Sequence, residues 1–250
     1  MGRNNFNLEQ SMFWSVIIPA RNEEKALPDC IDSVKKQVET RHCLVSDFEI
    51  IIVDNGSVDK TREIAEKRGA KIINEPRNGV GQARKTGAEA ATGEFIVNLD
   101  ADSRLPKDYF LRAAKIFEQE PDLICLGGQI VFYDGSWWLN ILRFLFHRPM
   151  YYYARLVSGG RVGPLGNNMV FRKSDYQKTA GFDASLRFGE DSDICRKLSK
   201  LGKVKIDFVL KCLASSRRYR WNQKPITQFR NFLAVCRGRP IENDLPELTK

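Results

Sequence analysis

The chain has 250 residues, of which 42% are hydrophobic and 28% are charged, enough to bury one sizeable core in one large α/β domain, alone or with an appendage. Its six cysteines are scattered without CxxC pairing, which argues against a zinc knuckle and a disulfide framework. The first twelve residues carry no apolar run behind a basic start, so no secretory signal is predicted and a cytoplasmic location is expected.

The net charge of +9 is concentrated near the C-terminus. Residues 211–239 contain eight Lys or Arg and no Asp or Glu. Such a block indicates an anionic partner, either nucleic acid or an anionic membrane surface, and a solvated basic face is an equal alternative.

Short β-branched apolar runs alternate with helical stretches along the first half of the chain. The predicted strands are 14–19, 48–53, 70–74, 94–99, 123–132 and 169–172. The predicted helices are 23–37, 60–68, 81–91 and 106–119. Later in the chain, Glu190 and Asp191 precede an amphipathic stretch at 194–201, which places the two acids in the first turn of a helix. This alternation predicts βαβ units and a largely parallel sheet, with ligands outside the carboxyl ends of its strands.

Polar residues follow three of these strands. They are 19–23 after the first strand, Asp54 and Asn55 after the second, and Asp100 and Asp102 after the fourth. Two aspartates spaced by two residues in extended backbone point the same way, which suits Mn²⁺ or Mg²⁺ bound to a diphosphate. Loop or N-cap acids that open the next helix are the structural alternative.

Four ordered segments resemble family 2 glycosyltransferases of the GT-A fold: SVIIPARNEE, IIIVDNGSVDKT, NGVGQARKTGAEAATGEFIVNLDAD and GFDASLRFGEDSDICRKL. The resemblance implies a Rossmann-like, mixed, largely parallel sheet flanked by helices. It also implies metal-dependent, inverting transfer of a sugar from a UDP- or GDP-sugar to an acceptor hydroxyl. We expect a catalytic domain at 1–210, with a nucleotide-sugar half at 12–105 and an acceptor half at 106–210, followed by a basic amphipathic extension at 211–250.

The resemblance also implies roles for single residues of the donor half. The nucleoside pocket would be lined by Pro19, Ala20 and Glu23, the base bordered by Asp54 and Asn55, and the base or phosphate approached by Gly81 and Arg84. Asp100 would lie on the ribose or metal side, and Asp102 would be the metal ligand. Many family members have an acid where this chain has Asn55, so the base stays undetermined.

In the acceptor half, Glu190 and Asp191 match the acidic pair of the family, whose second member would be the catalytic base. The alternative is that acids in the first turn stabilise the helix dipole. That dipole lowers the pKa of a carboxylate, so a catalytic base here requires an opposing influence such as partial burial.

The segment RRYRW at 217–221 resembles the QxxRW signature of processive polysaccharide synthases, with Arg217 in place of Gln. The resemblance implies that Arg220 and Trp221 lie near the acceptor and the diphosphate. A solvated or membrane-facing basic surface is weighed equally.

Two further segments bear on the acceptor. The aromatic stretch 137–147 predicts a helix for which core packing is favoured, with a cover over a lipid-bearing acceptor or a membrane interface as alternatives. The glycine-rich loop 158–168 lacks a P-loop pattern and suits a mobile lid or a close backbone approach to an acceptor, with an ordinary flexible loop as the alternative. With the basic C-terminal segment, we expect a saccharide or lipid-linked acceptor, peripheral contact with an anionic membrane, and no nucleic acid.

Two alternatives to a glycosyltransferase remain at this stage. A nucleotidyltransferase would also present basic and acidic residues at strand ends, but it should carry a glycine-rich loop after its first strand, which 19–22 lacks. A nonenzymatic membrane or nucleic-acid adaptor would use only the basic C-terminal block.

Overall fold

The computed structural model describes residues 12–37, 45–158, 163–186 and 189–217. Its strands are β1 (Met12–Ala20), β2 (Val45–Asp54), β3 (Lys71–Asn74), β4 (Phe95–Asn98), β5 (Ser103–Arg104), β6 (Leu123–Phe132), β7 (Met169–Arg172) and β8 (Lys203–Ala214). Its helices are α1 (Leu27–Lys35), α2 (Thr61–Lys67), α3 (Val80–Ala90), α4 (Tyr109–Gln119), α5 (Trp137–Val157), α6 (Lys173–Tyr176) and α7 (Glu190–Leu198).

The eight strands form one sheet in the order β3-β2-β1-β4-β7-β6-β8-β5. The pairs among β1 to β4 are parallel, whereas β7 is antiparallel to both of its neighbours and β5 is antiparallel to β8. The predicted α/β fold with a mixed, largely parallel sheet is therefore confirmed. The parallel half places the carboxyl ends of β1, β2 and β4 at one edge.

Aromatic stacking fills the core between this sheet and α4. Trp14 of β1 stacks on Phe95 of β4 at 4.9 Å and on Phe110 of α4 at 5.0 Å between ring centroids. Phe95 in turn lies 4.8 Å from Phe117. These rings are fully buried. Because they pack β1 and β4 against α4, they hold in place the strands whose ends carry the polar residues.

Most predicted elements are present, with shifted ends. The strands at 123–132 and 169–172 match β6 and β7 residue for residue. The helix predicted from 23 begins at Leu27, because the amides of Ala26 and Leu27 both donate to the Glu23 carbonyl in a preceding turn. Strand β8 was not predicted, and it passes through residue 210, so the first residues of the expected extension belong to the sheet.

Helix α5 exposes several large apolar side chains. It is held by Asn140, whose amide exchanges two hydrogen bonds with the backbone of Phe132, and by buried Tyr151, which contacts Phe208. The exposed side chains include Trp137 (75%) and Phe144 (61%). Core packing is therefore not seen for these two rings, and it stays a prediction for the segment 137–147 as a whole.

Across the part of the chain that the structure describes, no helix is both long and apolar enough to cross a membrane. Four cysteines in the same part, Cys30, Cys125, Cys195 and Cys212, are buried free thiols.

Candidate functional site

The polar segments that follow three of the predicted strands meet at the carboxyl ends of β1, β2 and β4, and this edge of the sheet is called the rim below. Ala20 at the end of β1 pairs in register with Asp54 at the end of β2, and β4 runs beside β1 up to Asn98. Pro19 and Ala20 lie in the last two positions of β1, so the chain that follows leaves the sheet at this edge. The structure therefore brings the segments 19–23, 54–55 and 100–102 to one edge.

Asp54 and Asn55 are both buried and shape the loop rather than stand open. Asp54 accepts a hydrogen bond from the Ser57 amide at 3.0 Å. The Asn55 side-chain amide donates to the carbonyls of Glu75 and Arg77, and its oxygen accepts from the Gly79 amide. An aspartate could not make the two donated bonds, which explains why this chain has an amide where many family members have a second acid.

Glu75 completes this loop and was missed in the sequence. Its buried carboxylate accepts hydrogen bonds from Arg77, Gln82 and Thr86, so it ties the end of β3 to the first turns of α3. The hydrogen bond with Arg77 is the main cause that lowers the pKa of Glu75 to about 2. The sequence signal that could have identified Glu75 is its position as an acid directly after the last residue of β3.

Asp100 and Asp102 lie in the turn between β4 and β5. Asp102 is buried, and its backbone is fixed because β5 pairs with β8 and the Ser215 amide donates to the Asp102 carbonyl at 3.2 Å. Asp100 is more open, with a side chain 15% exposed. The end of β8 therefore lies directly beside both acids.

Arg84 connects the donor acids to the acidic pair of α7. It lies in α3 with only 4% of its side chain exposed, donates to Asp100 at 2.9 Å and forms an ion pair with Glu190. A buried arginine between two carboxylates is stabilising only as a complete unit, because each buried charge needs its partner. Arg84 is thus a link across the site as well as a predicted donor contact.

Glu190 and Asp191 occupy the first turn of α7, which begins after Gly189 in left-handed conformation. Burial raises the pKa of Glu190; neighbouring Asp191 adds to the increase, whereas Arg84 opposes it. Asp191 is only partly buried, and its Oδ2 accepts the Gly166 amide at 3.1 Å. Glu190 faces the buried arginine, whereas Asp191 is the more open member of the pair.

Two glycines permit these close approaches. A Cβ at Gly166 would lie 2.2 Å from the Arg84 guanidinium, and one at Gly81 would lie 3.3 Å from the Glu190 Cβ. The described part of the glycine-rich loop therefore makes a close backbone approach, and its partner is Arg84. This packing fixes Arg84 and the Asp191 carboxylate from the same side.

Arg217 is the second arginine of the site. Its Nε donates to Asp102 Oδ2 at 2.9 Å, and its terminal nitrogen forms an ion pair with Glu23. The sequence pointed to this residue only as a mismatch to glutamine in a signature. The contact arises because β8 ends beside the turn that holds Asp102.

Most predicted site residues thus converge on one rim: Pro19, Ala20, Glu23, Asp54, Asn55, Gly81, Arg84, Asp100, Asp102, Glu190 and Asp191. Arg220 and Trp221 lie outside the described residues. A surface cavity of about 230 Å³ lies elsewhere, between α4 and β8, and it shares no lining residue with this set.

Solved structures share this fold. TarS 1–349 from S. aureus, in complex with UDP-GlcNAc, aligns with a TM-score of 0.65 and 20% identity over 94% of this chain and 68% of that one. The mannosyltransferase PcManGT from Pyrobaculum calidifontis, in complex with GDP-Man and Mn²⁺, aligns with a TM-score of 0.64 and 18% identity over 92% and 70%. The architecture is therefore the GT-A fold of glycosyltransferases.

Residues 15–179 match the family described as Glycosyl transferase family 2, and the chain belongs to that family. A PGL/p-HBAD biosynthesis glycosyltransferase of Mycobacterium tuberculosis is 33% identical over 164 residues, which are 61% of this chain and 62% of the relative. The chain spans 47% and 33% of the length of two Bacillus subtilis glycosyltransferases that it also matches. Membership of this family favours the glycosyltransferase prediction over the nucleotidyltransferase and adaptor alternatives.

Proposed function

We propose that this chain transfers a sugar from a nucleotide diphosphate donor to an acceptor hydroxyl, with inversion at the anomeric carbon. The observation that carries the proposal is one connected set of charges. Asp100 is bonded to Arg84, Arg84 is paired with Glu190, and Glu190 adjoins Asp191. A donor site and an acceptor-side carboxylate are thereby held by the same buried arginine.

The residues present fit a divalent cation such as Mn²⁺ or Mg²⁺. Among the described residues, Arg84 and Arg217 are paired with four carboxylates: Asp100, Glu190, Glu23 and Asp102. Their positive charge is thus already matched, so further positive charge would favour the binding of a diphosphate. Among the described residues no cluster of three or more His, Cys, Asp or Glu forms a metal cage. This suits cations that take one or two carboxylates and complete their shell with phosphate oxygens and water.

Asp102 would hold the cation, with Asp100 beside it. When bound, the cation neutralises charge on the leaving nucleoside diphosphate. Asp191 takes the proton from the acceptor hydroxyl as its oxygen bonds to the anomeric carbon and the bond from that carbon to the diphosphate breaks. A single displacement inverts the configuration. UDP- and GDP-sugars are the proposed donors, since the TarS and PcManGT structures contain such compounds.

We further propose a saccharide or lipid-linked acceptor and a location on the cytoplasmic face of a membrane. Helix α5 exposes Trp137, Trp138, Phe144 and other apolar side chains, and its sequence contains no acid. Trp, Tyr and Arg are suited to a membrane interface. The basic residues after 210 would add electrostatic attraction to anionic lipids.

Donor binding by titration calorimetry tests the main proposal. Asp102→Ala should abolish Mn²⁺-dependent binding of the UDP- or GDP-sugar that the wild type binds, whereas Asp100→Ala should weaken it. Asp108→Ala, an exposed acid paired with Arg112, is the matched control and should bind as the wild type does. Unchanged donor affinity in Asp102→Ala would remove the metal assignment. A screen of UDP-, GDP- and dTDP-sugars for nucleoside diphosphate release would identify the donor.

Sedimentation with vesicles tests the membrane component. Binding to anionic vesicles should be reversible and decrease with salt, since each basic residue near the surface contributes about 1 kcal/mol. Neutral vesicles are the control. Failure to sediment with anionic vesicles at low salt would exclude the membrane component and leave the transfer reaction unaffected.

A further inference from the structure

Arg217 contacts one carboxylate oxygen of Asp102, the proposed metal ligand. It lies three residues past the end of β8, and its Nε donates to Asp102 Oδ2 at 2.9 Å. Its terminal nitrogen is paired with Glu23, whose side chain is 11% exposed. Arg217 itself is 38% exposed, so it bridges two largely buried carboxylates from the solvent side.

The backbone around Arg217 is fixed while its side chain is more open. The Ser215 amide donates to the Asp102 carbonyl, and the Ser215 hydroxyl accepts the Arg217 amide at 3.2 Å. Ser215 and Ser216 are also bonded to Asp134, which follows β6. The guanidinium can therefore change partners while its attachment point stays beside Asp102.

A guanidinium and a divalent cation compete for the same carboxylate. Both carry positive charge, and Asp102 Oδ2 cannot direct the same lone pair to each. A diphosphate offers the guanidinium new acceptors, because its planar fork matches phosphate oxygens well. After leaving Asp102, Arg217 would keep one of its two ion pairs, the one with Glu23.

We propose that Arg217 controls access of the cation to Asp102. Without donor, Arg217 holds Asp102 and Glu23 and weakens the binding of free Mn²⁺ or Mg²⁺. With donor, the arginine transfers its hydrogen bonds from Asp102 to the diphosphate, and Asp102 becomes available to the cation. The second step depends on the proposed function, whereas the first depends only on the ion pairs described above.

A titration with Mn²⁺ in the absence of nucleotide tests the first step. Binding is measured as the decrease of the electron paramagnetic resonance signal of free Mn²⁺. Arg217→Gln should bind Mn²⁺ about ten- to a hundredfold more tightly than the wild type, which corresponds to removal of one charge-assisted hydrogen bond. Arg112→Gln, a change at an exposed arginine of α4, should have no effect. In an Asp102→Asn background, Arg217→Gln should also have no effect.

Binding of UDP and GDP in EDTA tests the second step. Arg217→Gln should bind the nucleotide more weakly than the wild type, while Arg112→Gln should not. If Arg217→Gln does not fold, as judged by circular dichroism, Arg217→Met removes the charge and keeps an unbranched side chain, and its Mn²⁺ affinity should increase as well.

Unchanged or weaker Mn²⁺ binding in the folded Arg217 variants would overturn the proposal. If no nucleotide binds to any variant with or without Mn²⁺, the proposed function fails. The Mn²⁺ titration still decides the first step in that case, so the two failures are distinguishable.

Discussion

The carboxylate rim and helix α5 differ in how their side chains meet solvent. Buried charges at the rim have partners that are distant in sequence: Arg84 reaches Glu190 across 106 residues, and Arg217 reaches Glu23 across 194. Helix α5 exposes several aromatic rings, including Trp137 and Phe144. Changes at the rim should therefore affect both stability and chemistry, whereas changes on the exposed face of α5 should leave the fold intact.

Asp191→Asn should give the largest effect on the reaction. Removal of a general base typically costs about 10² to 10⁴ in rate, and asparagine keeps the shape of the side chain. Transfer should fall by this factor at saturating donor and acceptor, while donor affinity by titration stays near the wild-type value. Substantial remaining transfer would move the base elsewhere, with Glu190 as the next candidate. Loss of donor binding would instead assign Asp191 to the donor site.

Arg84→Met should give the largest effect on stability. It leaves Asp100 and Glu190 without their shared cation, and breaking a buried ion pair costs about 3–5 kcal/mol. The measurement is the free energy of unfolding in urea. Arg112→Met removes an exposed pair and should cost at most about 1 kcal/mol. Equal losses of unfolding free energy in the two variants would show that the buried ion pairs of Arg84 stabilise the fold no more than an exposed pair does.

Glu75→Gln should reduce the free energy of unfolding by about 1–2 kcal/mol at pH 7, because hydrogen bonds to a buried charge are lost. The pKa of Glu75 is lowered to about 2 from 4.5, chiefly by its hydrogen bond with Arg77. A depressed pKa stabilises the folded state above the unfolded value, and that contribution is lost as pH falls. The difference between wild type and variant should therefore shrink between pH 4.5 and 2. If the difference in unfolding free energy did not change with pH, the negative charge of Glu75 would not be the source of the stabilisation.

Phe144→Ser should give the smallest effect on stability, about 0.5 kcal/mol or less, because the ring is 61% exposed. Phe110→Ala, which empties a fully buried position in the aromatic stack, should cost about 3–5 kcal/mol. Urea unfolding measures both variants. A large loss in Phe144→Ser would mean that this face of α5 is covered in the folded protein.

Local patterns predicted much of the fold. β-branched apolar runs identified β1, β2, β3, β4, β6 and β7, because such runs bury within a sheet regardless of their neighbours. Strand β8 was missed although its first residues alternate between polar and apolar, which is the pattern of a half-buried strand. Strand β5 has only two residues, too few to show any period. The place of β5 in the sheet therefore depends on its pairing with β8 rather than on its own sequence.

The sequence by itself determined the rim. Strand ends carry Asp54, Asp100 and Asp102, and parallel strands must bring their carboxyl ends to one edge. Tertiary structure decided the partners: Arg84 between Asp100 and Glu190, Arg217 on Asp102, and the use of the Asn55 amide by two carbonyls. It also decided that α5 exposes several of its apolar side chains. Local periodicity reports which side chains share a face, but burial and charge pairing depend on which distant segment packs against that face.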